Sequence, residues 1–243
     1  MTGSEQATVD TVAGPRRVVS AEEWLEARRA LLVREKELTR ARDALNAERR
    51  RIGMVRVEKD YVFEGANGRA SLVDLFEGRG QLVVQHFMFD PSWTDGCQSC
   101  SWAADEISAG RLRHLHDWDT TFAAVSRAPF PSIDGYRTRR GWTFPWYSSH
   151  GSDFNYDLGV TFDEGRDAAV YNYTTRDELE RAGADLSNQP VELPGLSCFL
   201  RDGDTVYHTY STYARGTEMV GGSHYIVDLT TLGRRHAFEQ RDG

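Results

Sequence analysis

The chain has 243 residues, with 37 Asp and Glu against 29 Lys and Arg, for a formal net charge of -8. That balance gives no long-range attraction for phosphate backbones or anionic headgroups, so neither nucleic acid nor membrane is an expected partner. The three cysteines, Cys97, Cys100 and Cys198, are too few and too unevenly spaced for the disulfide framework of a secreted scaffold.

Residues 1–19 mix Thr, Gly, Ser and charges without apolar periodicity and read as a flexible lead-in. Met1–Gly14 lacks the apolar stretch of a secretory signal and no later run reaches membrane-spanning length, so a cytoplasmic location is expected. Ser20 with Glu23 matches a capping box, and the stretch to Arg51 lacks Gly and Pro, which predicts one long helix over 20–52. Trp24, Leu31, Leu38, Leu45 and Ile52 recur every seven residues, while Ala27, Arg34, Ala41 and Glu48 are not consistently apolar. That single greasy seam is expected to pack on the domain or on a partner subunit, and a homodimer through this helix is one outcome.

A domain is expected over 53–235, followed by a tail at 236–243. Tyr61–Gly65 reads as a strand, and Ser71–Phe76 as a turn leading into one helical turn. Gln81–Phe89 is a nearly continuous apolar run, the composition of a central strand covered on both faces. It delivers the chain to Cys97-Gln98-Ser99-Cys100, and the stretch from Cys97 to Asp117 has helical composition apart from Gly110. Thr120–Ser126 is a second apolar strand and Ile133–Arg140 a second helix, so strand, helix, strand, helix gives a βαβ unit around a parallel sheet. Phe144–Tyr173 is aromatic and turn-rich. Leu196–Leu200, the Arg201–Asp204 turn and Thr205–Tyr210 read as a hairpin, and Tyr225–Leu229 as a last strand after a helix-like stretch.

Two cysteines separated by two residues at the first turn of a helix can close a disulfide, and the amide end of the helix stabilises a thiolate there. Cys97 is then the attacking thiolate and Cys100 the resolving thiol, with Asp95 opposing the thiolate if it points at the sulfur. Thiol-disulfide exchange is the leading reading, with a thiol or disulfide substrate, protein or small molecule, and no cofactor. A metal site is the alternative: copper or zinc held by Cys97, Cys100, His86 and His208, since His114 and His116 cannot reach the pair unless the helix breaks at Gly110. Two further alternatives stay open. One is a thiol peroxidase, although no Pro-x-x-x-Thr-x-x-Cys pattern precedes Cys97; the other is a degenerate fold kept for protein interaction. Tyr210, Tyr213 and Arg215 are candidates to bind a small anionic or thiol substrate, or else to pack beneath a loop. Cys198, inside a strand, reads as an inert thiol.

The segments His86–Phe89, Gly96–Ser101, Val125–Pro129, Gly141–Trp146, Gly151–Asp157 and His208–Gly216 together resemble an uncharacterised bacterial thioredoxin-like family, the domain of unknown function 899, whose members are described as predicted dithiol-disulfide oxidoreductases. The resemblance runs from Ser20 to Leu229. It implies an α/β fold with a central mixed sheet in three layers and an added long N-terminal helix, and it supports Cys97 as nucleophile and Cys100 as resolving cysteine. Leu193-Pro194-Gly195 before a strand and an Asp-Gly turn is similar to the segment in which thioredoxin-like proteins place a cis-proline opposite the cysteines, which makes Pro194 a candidate site residue. Gly96 before the pair and Gln98-Ser99 within it depart from ordinary thioredoxins, so neither redox potential nor partners carry over.

Overall fold

The computed structural model describes residues 8–11, 14–163, 171–181, 183, 190–220 and 222–232. The chain forms two compact units, one of residues up to Ile52 with those from His224 onward, the other Gly53–Ser223. In the first unit, β1 (Thr8–Thr11) and β2 (Gly14–Arg17) pair antiparallel inside the stretch expected to be a flexible lead-in. Helix α1 (Ala21–Arg49) follows with its capping box intact: Ser20 Oγ accepts from Glu23 N at 3.1 Å, and Glu23 accepts from Ser20 N at 2.9 Å. No residue of α1 is buried, and Trp24, Leu31, Leu38 and Leu45 are exposed.

The second unit is built on an eight-stranded mixed sheet. Its strands are β3 (Val55–Arg56), β4 (Val62–Gly65), β5 (Gly68–Ser71), β6 (Gln81–His86), β7 (Thr120–Ser126), β8 (Trp146–Ser148), β11 (Gly195–Asp202) and β12 (Thr205–Tyr213), in the order β3-β12-β11-β6-β7-β8-β4-β5. Strands β6, β7 and β8 run parallel, and the hairpin β11–β12 lies antiparallel against β6. All seven residues of β7 are buried, as a strand covered on both faces requires. Gly203 has φ 57°, so the Asp-Gly turn between β11 and β12 uses the left-handed conformation open to glycine.

Between β6 and β7 lie α2 (Gln98–Asp105) and α3 (Ala109–Asp117), and α4 (Phe130–Arg140) follows β7. The single helix expected over 97–117 is thus two. The first ends at Asp105 and Ser108 caps the second, its Oγ accepting from Arg111 N at 3.2 Å, so the break precedes Gly110. Alternation along β6 and β7 splits the core in two. Phe122 and Ala124 join Phe87, Phe89, Cys100, Ala104, Ile133 and Tyr136 under α2 to α4, whereas Leu82, Val84, Ala123 and Val125 pack with Phe63, Leu75, Phe76 and Phe154 on the opposite face. Helices, sheet and the covering of the second face make three layers. A hairpin beside β6, with β6 parallel to β7 and the cysteine helix between them, is the thioredoxin arrangement.

The turn-rich middle contributes α5 (Phe154–Asp157), β9 (Thr161–Phe162) and α6 (Arg176–Arg181), and β9 pairs with β10 (Val191–Glu192). The last strand expected, Tyr225–Leu229, is absent. Ser223–Val227 is the short helix α7, held by local bonds such as Asp228 N to His224 O at 3.0 Å, because apolar composition over so few residues does not separate strand from helix. No described helix is long and apolar enough to cross a membrane. The expected tail at 236–243 lies outside the described residues.

Candidate functional site

The dithiol is placed by the end of β6. Phe87 extends the ladder, its N–H donating to Val125 O at 2.9 Å, and the following loop folds back so that Cys97 N donates to Met88 O at 3.0 Å. Gly96 is required by contact: a Cβ there would lie 2.5 Å from Phe87 Cε1 and 3.2 Å from Tyr136 Cε1. Cys97 is the N-cap of α2, and its carbonyl accepts from Ser101 N at 3.0 Å and Ser101 Oγ at 2.8 Å. Ser101 Oγ also meets Tyr136 Oη at 2.9 Å, tying the first turn of α2 to α4. One turn further in, Cys100 is buried while Cys97 is half-buried; both are free thiols.

Their acidities are driven apart. A hydrogen bond from Cys100 is the largest influence lowering Cys97, which falls from the ordinary 9.0 to about 5. Burial opposes that fall, and the Ser99 hydroxyl, with Sγ···Oγ 3.1 Å, and the N–H groups of Cys100 and Ser99 reinforce it. Cys100 moves well above its usual range because it donates to Cys97, is buried and lies beside the Cys97 charge. Thiolate at the mouth and thiol behind it is the division of labour that disulfide exchange needs. Asp95, expected to oppose the thiolate if it pointed at the sulfur, is paired with Arg139, its carboxylate accepting from Nη2 at 2.6 Å.

Pro194 immediately precedes β11, whose first residue, Gly195, pairs with His86, the last of β6. This brings Pro194 to the sheet end from which the cysteine loop departs. Tyr171 ties Pro194 to the residue after β12: its hydroxyl donates to Pro194 O at 3.0 Å and accepts from Ala214 N at 2.9 Å. Burial pushes the Tyr171 hydroxyl up to about 12, with further contributions from Tyr213 and from Cys100. Sequence reading missed Tyr171, because a tyrosine in a turn-rich stretch has no periodicity to flag it.

The residues proposed for a metal do not meet. His86 falls on the Phe154 face of the sheet, its ring centroid 5.7 Å from that of Phe154, whereas Cys97 and Cys100 belong to the helix-covered face. His86 Nε2 bonds Ser197 Oγ at 2.8 Å, Ser197 Oγ meets Ser211 Oγ at 2.7 Å, and Ser211 Oγ meets His208 Nε2 at 2.7 Å. Burial lowers both imidazoles, His86 to about 3, so each is neutral near pH 7. Among the described residues, no three His, Cys, Asp or Glu side chains gather to hold a metal ion. The strand period explains the miss: His86 shares parity with Leu82 and Val84, and its side chain leaves the sheet on their side.

The expected substrate residues lie at and just after the end of β12. Tyr213 is buried, donates to Leu158 O at 2.9 Å and packs edge-on to Tyr171 at 5.3 Å, so it is part of the packing. Arg215 is paired with Glu218 at 2.8 Å, and Tyr210 is half-buried opposite Cys198, itself half-buried, on β11.

The sequence pattern of the family described as "Bacterial protein of unknown function (DUF899)" matches residues 13–242. The chain belongs to this family. No curated protein matches it. Among solved structures, the fold is similar to a cysteine-to-serine variant of PrxQ from Xylella fastidiosa, with TM-score 0.45 and 14% identity over 70% of this chain and 91% of that one. It is also similar to peroxidoxin BcpB from Mycobacterium tuberculosis, with TM-score 0.44 and 13% identity over 68% and 85% of the two chains. A peroxiredoxin 6 variant from Arenicola marina gives TM-score 0.44 and 9% identity over 72% and 74%.

Proposed function

We propose that the protein is a thiol-disulfide oxidoreductase that turns over through a reversible Cys97–Cys100 disulfide in a reducing compartment such as the cytoplasm. The observation that carries this reading is the placement of the two thiols, Cys97 half-buried at the N-cap of α2 and Cys100 buried one turn further in, and the opposite shifts of their acidities support it. The Cys97 thiolate attacks one sulfur of a substrate disulfide, forming a mixed disulfide and expelling the other sulfur as a thiolate. Cys100 then gives up its proton and attacks Cys97 Sγ, closing the Cys97–Cys100 bond and releasing the second substrate thiol. Two electrons pass from the dithiol to the substrate, which takes up two protons; run backward, the same steps oxidise a dithiol. No cofactor enters this cycle.

Equilibration with glutathione buffers, read by alkylation and mass spectrometry, tests the proposal. A reversible Cys97–Cys100 disulfide with a potential in the cytoplasmic glutathione range of about -220 to -320 mV supports it. Thiols that never pair, or a stoichiometric metal retained by the same sample, refute it.

A further inference from the structure

Arg127 follows β7 directly, and all three of its guanidinium nitrogens are committed. Nε donates to Glu192 Oε1 at 2.5 Å, Nη2 to Asp90 Oδ2 at 2.6 Å and Nη1 to Tyr156 Oη at 2.9 Å. The side chains of Arg127, Asp90 and Glu192 are only 11%, 14% and 2% exposed. A buried ion pair contributes little net stability compared with well-packed apolar groups, because desolvation offsets the attraction. Stability alone therefore does not account for one cation and two carboxylates at this depth.

What the cluster joins does account for it. Asp90 belongs to the loop between β6 and Cys97, and its other oxygen, Oδ1, accepts from Ser92 N at 2.8 Å and Ser92 Oγ at 2.6 Å, shaping the turn that leads to the nucleophile. Glu192 ends β10, two residues before Pro194, and also accepts from Thr161 Oγ1 at 3.2 Å. Tyr156 lies on α5. One planar guanidinium thus ties the cysteine loop to the segment carrying Pro194, a three-way geometry that a lysine ammonium on a flexible stem does not reproduce.

We propose that Arg127 is a positioning residue, holding the Cys97 loop and the Pro194 segment in the relative placement from which a substrate disulfide meets Cys97 in line. The proposal rests on the oxidoreductase reading above. Cys100 is buried and Cys97 half-buried, so an incoming disulfide reaches Cys97 first; in this proposal it enters between the two segments, whose spacing sets its angle of attack. The acidity of Cys97, by contrast, is set inside the first turn of α2 by Ser99 and Cys100. Loss of the clamp should then separate two quantities that a general loosening of the fold would change together.

The test compares the wild-type chain, Arg127→Lys, and the combined Arg127→Met, Asp90→Asn, Glu192→Gln variant, which leaves no buried charge uncompensated. For each, the rate of reduced protein with glutathione disulfide is followed by glutathione release. The pH midpoint of Cys97 alkylation by iodoacetamide is read by mass spectrometry, and near-ultraviolet circular dichroism monitors packing. The expected result is a fall of up to about 100-fold in the glutathione disulfide rate, the scale of a small misplacement of reacting groups, in both variants with an unchanged alkylation midpoint. An unchanged rate overturns the proposal. So does a midpoint that shifts together with lost circular dichroism, which would make Arg127 a general structural residue. Wild-type protein inert to glutathione disulfide would instead remove the oxidoreductase reading, and this proposal with it.

Discussion

Replacing Cys100 by Ala removes the thiol whose hydrogen bond is the largest influence lowering Cys97, and the consequence is visible in how rate depends on pH. In the wild-type protein the Cys97 midpoint is about 5 against an ordinary 9.0. At pH 6 an ordinary thiol is about one part in a thousand ionised and Cys97 about nine-tenths ionised; a Brønsted slope near 0.45 costs the weaker nucleophile roughly 60-fold, leaving Cys97 about 15-fold faster. Near pH 7 the two rates cross, and at pH 8 the ordinary thiol is roughly sixfold faster. The assay is the reaction of reduced protein with a dipyridyl disulfide, followed by absorbance and compared with a free-cysteine peptide between pH 4 and 9. Wild-type rates should rise through about pH 5 and then level. Cys100→Ala should move that midpoint toward 9.0, and Cys100→Ser, which keeps a donor, should move it less. A wild-type profile still rising through about pH 8.5, like an unperturbed thiol, would refute the reasoning.

Gly96→Ala forces a methyl into contact with the Phe87 and Tyr136 rings, and urea denaturation should show a loss of about 1–3 kcal/mol typical of overpacking; an unchanged midpoint would mean that the loop yields freely. Tyr171→Phe leaves Ala214 N and Pro194 O without their partner, at a cost of about 1–3 kcal/mol by the same measurement. Burial raises the Glu192 pKa above its usual range, the largest influence there, against the pull of Arg127. The native state therefore binds this proton more tightly than the unfolded chain, and its stabilising contribution is present below pH 4.5 and lost as pH rises through the native value. Glu192→Gln should thus gain stability relative to wild type as pH rises across that window, and a difference independent of pH would contradict it. If a second copy covers the exposed seam of α1, Leu38→Lys at its centre should convert dimer to monomer in sedimentation velocity; a monomeric wild type would end that expectation.

Much of the fold was legible because its signals are local. The capping box at Ser20 and Glu23 marks the start of α1, the apolar runs around Val83 and Phe122 mark strands covered on both faces, and the Asp-Gly pair marks the β11–β12 turn. The dithiol was legible for the same reason: a strand, two cysteines one turn apart and a helix N-terminus are neighbours in the chain, and the acidity of Cys97 is set by Ser99 and Cys100. What local signals do not carry is the pairing of distant segments. His86 and Cys97 are close in sequence yet belong to opposite faces of the sheet, a separation decided by strand parity and by the layers packed on each side. Tyr171 on Pro194, and Arg127 between Asp90 and Glu192, join segments that only the sheet order brings together. A hydrogen-bonding side chain has no periodicity that announces its partner, so its role was decided by the tertiary structure.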